Sequence, residues 1–285
     1  MKNYLDLLRN IKENGKYHPN RTGVGTLRLI GATLEFDMAD GFPAMTTKKL
    51  AFRSVVGELL GFIRGYTSAQ DFRSLGCHIW DANANENAEW LNNRNRLGTD
   101  DLGRIYGAQW RKWTGPGYTI HDQLADCVTQ IAKGSNSRRL IVDAWNPSEM
   151  DMMALPPCHV LHQYHVDNED RTLSMTMYQR SCDTFLGIPF NIASYALLLQ
   201  LVSFATGYRP GKLVMFLADV HIYENHIDQV MTQLEREPHP LPSLEILGPQ
   251  PQKWDAVRWL EEVHPDMIQL ENYVCEPAIK APMAV

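Results

Sequence analysis

The chain has 285 residues, 44% of them hydrophobic, and 27 lysines and arginines stand against 33 aspartates and glutamates for a net charge of −6. That length and apolar fraction suffice for a sizeable buried core, and the negative balance argues against broad nucleic-acid affinity. Five cysteines, odd in number and without a close CxxC pair, speak against a secreted disulfide framework and for a reducing compartment.

Met1-Lys2-Asn3-Tyr4-Leu5-Asp6 opens a polar amphipathic segment with no signal-peptide apolar stretch, and nothing later is read as approaching membrane-spanning length. A cytoplasmic chain is expected. No internal repeat or long linker interrupts it, which predicts one domain over residues 1–285. Phe52 to Arg64 is predicted helical, with Val55, Leu59, Phe62 and Ile63 on one stripe and Glu58 on or beside it. A carboxylate there is costly unless paired or used, so a structural ion pair and a catalytic acid are the two readings. The asparagine-rich stretch from Ala82 to Arg96 is predicted to be a solvated surface loop.

Residues 158–166 and 172–180 read as strands, the second alternating Leu173, Met175 and Met177 with Ser174, Thr176 and Tyr178. With Asp167 to Asp170 as the turn, position i pairs with roughly 338 minus i, which sets Cys158 opposite Arg180 if no bulge shifts the register. A cation beside a thiol favours the nucleophilic thiolate. The plain alternatives are a buried structural cysteine and a metal site shared with His159, His162 and His165. Strand alternation opposes the metal site, because Cys158 and His162 should face one way and His159 and His165 the other. Asn191 precedes the stripe Ile192, Tyr195, Leu198, Leu199 and Val202, which ends near Gly207, and so reads as a helix N-cap. Its carboxamide also offers a donor and an acceptor together. Arg21, Arg138, Arg139 and Arg180 would ordinarily be surface charges. No glycine-rich phosphate loop is present in the sequence.

The run Pro156-Pro157-Cys158-His159, followed by Gln179-Arg180-Ser181-Cys182-Asp183-Thr184-Phe185-Leu186-Gly187-Ile188-Pro189-Phe190-Asn191, resembles the thymidylate synthase family. Arg21-Thr22-Gly23, Thr46-Thr47-Lys48-Lys49, Ile79-Trp80-Asp81, Tyr106-Gly107, Ser137-Arg138-Arg139, His221-Ile222-Tyr223 and Ala281-Pro282-Met283-Ala284-Val285 extend the likeness over essentially the whole chain. The resemblance implies an α+β fold, a large twisted mixed sheet flanked by helices, with sheets of two subunits packed together in a homodimer. It implies conversion of dUMP to dTMP with 5,10-methylenetetrahydrofolate as co-substrate, dihydrofolate as second product and no metal.

On the same grounds Cys158 is the nucleophile toward C6 of the base. Glu58, Tyr106, His159 and Asn191 manage the C5 proton and O4, with Asn191 selecting uracil over cytosine. Arg21, Arg180 and Ser181, with Arg138 and Arg139 from the other subunit, hold the phosphate. His221 and Tyr223 hold the ribose, Asp183 faces the pterin, and Trp80 walls the folate. Lys48 and Lys49 meet the folate tail, and Val285 is the terminus that closes over the site. Gly61 and Tyr66 depart from the tryptophan and aspartate common among relatives, and Ala218 from a glycine. A missing large side chain at Gly61 could admit water, which keeps open a deoxyuridylate hydroxymethylase on the same fold. A catalytically silent nucleotide- or RNA-binding relative is the third reading, which expects loss of a nucleophile, acid or arginine; none is lost.

Overall fold

The computed structural model describes residues 1–20 and 23–283. Its helices are α1 (Lys2–Asn14), α2 (Phe52–Ile63), α3 (Ala69–Ser74), α4 (Asp81–Asn85), α5 (Ala88–Leu91), α6 (Tyr106–Lys112), α7 (Gln123–Ala132), α8 (Gly187–Thr206), α9 (Ile227–Leu234) and α10 (Ala256–Glu262). The strands are β1 (Lys16–His18), β2 (Thr26–Asp37), β3 (Trp113–Thr114), β4 (Ile120–His121), β5 (Ile141–Asp143), β6 (His159–Asp167), β7 (Thr172–Asp183), β8 (Arg209–Tyr223), β9 (Ser243–Ile246) and β10 (Ile268–Glu271). One six-stranded sheet, in the order β1-β2-β8-β7-β6-β5, organises the molecule. Its pairs are antiparallel except β7 with β8, which run parallel and are joined through α8. This is the expected α+β architecture.

Helix α8 is apolar on every side, as a helix buried on all faces must be. It ends where Gly207 takes a left-handed conformation, a position that favours a residue without Cβ. By length and apolarity it could cross a membrane, which corrects the reading that nothing approaches such length. Its most apolar stretch is 78% buried, packed against β7 and β8. Asn191 is not its N-cap: the helix begins four residues earlier, and Asp183 Oδ1 accepts the Phe185 and Leu186 N–H groups just ahead of it. The carboxylate holds the turn between β7 and α8, and no side chain caps the helix itself.

The β6–β7 hairpin is offset by one from the expected register along most of its length, pairing Asp167 with Thr172 and Leu161 with Tyr178. The turn is the cause. It spans residues 168–171, Asp167 Oδ1 accepts the Glu169 and Asp170 N–H groups, and Arg171 adopts φ 54°. A bulge between His159 and Leu161 then restores the expected pairing of His159 with Gln179. The same bulge overturns strict alternation: His159 and His162 are both buried, with Tyr164, and His165 is exposed.

The asparagine-rich stretch is not a plain loop, since α4 and α5 lie within it. Asn87 caps α5 by accepting from the Glu89 and Trp90 N–H groups, and Asn85 exchanges two hydrogen bonds with Asp100. Asn93 and Asn95 both donate to the Asp151 carbonyl. Short side chains that satisfy backbone groups locally make compact, irregular structure of this kind possible.

Around Phe62 of α2 the rings of Phe72, Trp80, Tyr106 and Trp110 meet at centroid distances of 5.7, 6.0, 4.9 and 5.7 Å. Phe72 fills the space beside Gly61: a Cβ on Gly61 would lie 2.3 Å from Phe72 Cε1. Because Phe72 is itself fully buried against Phe62 and Trp80, it cannot swing away. Gly61 therefore opens no route for water at this point. Gly61→Ala should lower unfolding free energy by about 1–3 kcal/mol through overpacking. Urea titration measures it, and Phe72→Leu in the same chain should recover part of the loss.

Candidate active site

Cys158 lies at the mouth of β6, half-buried, directly after Pro156 and Pro157. Arg180 on the neighbouring strand secures this corner three times. Its N–H donates to the Cys158 carbonyl at 2.9 Å, its Nε to the Pro157 carbonyl at 2.8 Å, and its Nη2 to the Pro156 carbonyl at 3.2 Å. The guanidinium also lies 5.1 Å from the ring centre of Trp145, a residue the motifs did not single out. Arg180 thus braces the backbone that carries the thiol.

The Cys158 N–H donates to the Tyr106 hydroxyl at 2.7 Å, and the Tyr106 ring stacks on His159 with centroids 4.1 Å apart. His159 Nδ1 shares a 2.7 Å hydrogen bond with the hydroxyl of Tyr195 on α8. Burial pushes the His159 imidazole down to about 3, so the ring is neutral near pH 7. Burial, then the neighbouring Cys158 and Glu58, raise the Tyr106 hydroxyl well above its usual range. Glu58 is buried at the centre of this group, and Trp80 Nε1 donates to its Oε1 at 3.0 Å. Desolvation raises Glu58 to about 8, against the opposing effect of the Trp80 bond. The expected costly carboxylate is present, held by an indole and not by an ion pair. A carboxyl poised near neutrality can hold or release a proton during a reaction.

At the adjoining ends of β7 and β8, Ser181 pairs with Asp219 and Asp183 with His221. The rings of His221 and Tyr223 lie 5.2 Å apart, edge to face. Asn191 sits in the second turn of α8, where its Oδ1 accepts from Gln179 Nε2 at 3.0 Å. Lys48 is buried: its Nζ donates to the Phe185 carbonyl at 2.5 Å and lies 3.4 Å over the Phe185 ring. Burial pushes that amine down to about 7, with Asp183 opposing. Lys49 is exposed.

Two pairs of expected residues lie apart from this assembly or outside the described part. Arg138 and Arg139 are exposed beyond the far end of β5, where Ile141 pairs with Gln163. At about 3.3 Å per strand residue, that end is on the order of 20 Å from Cys158 along β6. Arg21 and Val285 lie outside the described residues. Sequence reasoning assigned no role to Tyr195, Gln179 or Trp145. Gln179 stood inside the quoted motif and Tyr195 in the apolar stripe after Asn191, whereas Trp145 had no local signal. Among the described residues no cluster of three or more histidine, cysteine or acidic side chains has the form of a metal site.

The Glu58 shift has a stability consequence of definite sign. Unfolded, the carboxyl ionises near 4.5, and folded near 8, so the folded chain holds the extra proton between those values. Its contribution to stability is fully present below about pH 4.5 and is lost as pH rises through about 8. Melting temperatures of the wild type minus those of Glu58→Gln should therefore fall steadily over that window and level off above it. A constant difference would place Glu58 elsewhere in the titration.

The model of the family described as thymidylate synthase matches residues 2–285. The chain is 43% identical to the thymidylate synthase of Pseudomonas syringae pv. tomato, 44% to that of Pseudomonas putida and 42% to that of Bordetella parapertussis, each over 100% of both chains. A whole-length match of this kind means that the chain belongs to the thymidylate synthase family.

Proposed function

We propose that this chain converts dUMP to dTMP by reductive methylation with 5,10-methylenetetrahydrofolate, releasing dihydrofolate. The observation that carries the reading is the single contact chain from Cys158 through Tyr106 to His159 and Tyr195, with Glu58 buried beside it. A nucleophile and a proton-holding acid thus share one water-poor aromatic chamber. Cys158 Sγ adds to C6 of the uracil, placing negative charge on C5 and O4. Asn191, turned by Gln179, meets the N3–H and O4 edge, and Glu58 with Tyr106 and His159 handles the C5 proton and the charge at O4. Expulsion of Cys158 frees the product.

The folate supplies the one-carbon unit and the hydride. A flat heteroaromatic with amine and amide edges suits the surface present: Trp80 as wall and Asp183 as carboxylate, with Lys48 and Lys49 on the loop nearby. Val285 is the closing terminus in this reading. The hydroxymethylase alternative drew on Gly61, and Phe72 fills that space. Burial of Trp80 supports hydride delivery over water addition. With dUMP and methylenetetrahydrofolate, chromatography should show dTMP and dihydrofolate in equal amounts. Hydroxymethyl-dUMP with tetrahydrofolate as dominant products would establish the other chemistry.

We propose a homodimer as well, in which Arg21, Arg180 and Ser181 hold the phosphate together with Arg138 and Arg139 of the other subunit. Two observations support it: the distance of Arg138 and Arg139 from their own Cys158, and the exposed Tyr178, Phe216 and Ile30 on the sheet, 40, 47 and 74% accessible. The five cysteines, odd in number and without a close CxxC pair, suit the cytoplasm. Mixing inactive Cys158→Ser and Arg139→Glu chains should restore partial activity, since each mixed dimer holds one site with an intact thiol and an intact arginine. If exchange of subunits is demonstrated and activity stays absent, the sites are not shared.

A further inference from the structure

We propose that Asp219, clamped by Arg28, is the positioning residue that sets His221 to read the sugar hydroxyl of the nucleotide, making the site selective for nucleotides with a free 3′-OH. This rests on the reading of His221 as the ribose contact. A 2′-deoxyribose 5′-phosphate has one free hydroxyl, at C3′, so whatever reads the sugar by hydrogen bonding reads that group.

Asp219 and His221 are two residues apart on β8 and share a face, and Arg28 on β2 is the direct cross-strand neighbour of His221. The two carboxylate oxygens of Asp219 are divided between them. Oδ1 meets His221 Nδ1 at 3.0 Å, and Oδ2 accepts from Arg28 Nη1 at 3.1 Å. Arg28 Nη2 in turn meets His18 Nε2 at 3.2 Å. Asp219 and Arg28 are each 32% exposed, so the pair adds little to stability; its value is orientation. A carboxylate only accepts, so Nδ1 of His221 carries a proton, and in the tautomer with its single proton there Nε2 is an acceptor. An acceptor is what a hydroxyl donor needs.

This arrangement predicts an unusual effect for a conservative change. In Asp219→Asn the amide must still present its oxygen to Arg28, a pure donor, and therefore turns its NH2 toward His221 Nδ1. The imidazole then moves its proton to Nε2, so the sugar contact can form only with the hydroxyl turned round to accept, away from the orientation the wild-type ring imposes. Steady-state kinetics on dUMP and on 2′,3′-dideoxyuridine 5′-monophosphate read the result. Asp219→Asn should raise KM for dUMP about tenfold and leave kcat/KM for the dideoxy substrate within about twofold. Adding Arg28→Met releases the amide to turn its oxygen to His221, so the double variant should regain part of the lost discrimination. Equal losses on both substrates, or no recovery in the double variant, would overturn the positioning role. If His221→Val leaves discrimination intact, the ribose reading itself fails and takes the inference with it. If His221→Val abolishes discrimination while Asp219→Asn does not, only the inference is overturned.

Discussion

The grip of Arg180 on the Pro156–Cys158 corner is the interaction on which the rest of the site depends. One side chain and one amide satisfy three consecutive carbonyls, those of Pro156, Pro157 and Cys158. Two prolines donate no backbone N–H, so this corner has no ladder of its own, and the arginine supplies the missing donors from β7. The bulge in β6 makes that possible. Without it the hairpin would stay offset by one residue, and the backbone of Arg180 would not meet Cys158. The same bulge delivers His159 beneath Tyr195, so one irregularity places both the thiol and the imidazole.

The chemistry then follows from exclusion of water. Glu58 is buried beside Trp80 and Tyr106, and the same kind of burial that lifts its carboxyl toward 8 drives His159 down to about 3. The two groups are therefore both uncharged near neutrality, an unusual state for a carboxyl and one that permits it to give as well as take a proton. Trp80 moderates the effect by donating to the charged form more strongly than to the neutral one. The aromatic wall and the acid are one device.

The residues proposed for recognition stand at the same end of these strands, just past Arg180. Parallel pairing of β7 with β8 brings Ser181 beside Asp219 and Asp183 beside His221, and β2 adds Arg28 across from His221. Because β7 and β8 run the same way, the connection between them must be a long crossover, and α8 is that crossover. Its second turn carries Asn191 back over Gln179. Asn191, His221 and Cys158, the residues proposed for base, sugar and nucleophile, thus descend from one β-α-β unit and its hairpin neighbour.

Much of this was legible in the sequence. Alternation in residues 172–180 identified β7, the apolar stripe around Glu58 identified α2, and the adjacency of Cys158 and Arg180 came from counting across a turn. These are local regularities, and period and spacing carry them. The family motifs marked Tyr106, His159, Asn191, His221 and Tyr223, residues too far apart in the chain for spacing to join. Only the tertiary structure decided that α8 begins at Gly187, ahead of Asn191, that Phe72 occupies the space beside Gly61, that His159 and His162 share a face, and that Asp219 is divided between His221 and Arg28. Each depends on which atoms meet after the chain has closed, through a bulge, a turn shifted by one residue or a neighbour 191 positions away. A sequence records side chains in order, whereas register and burial belong to the folded whole.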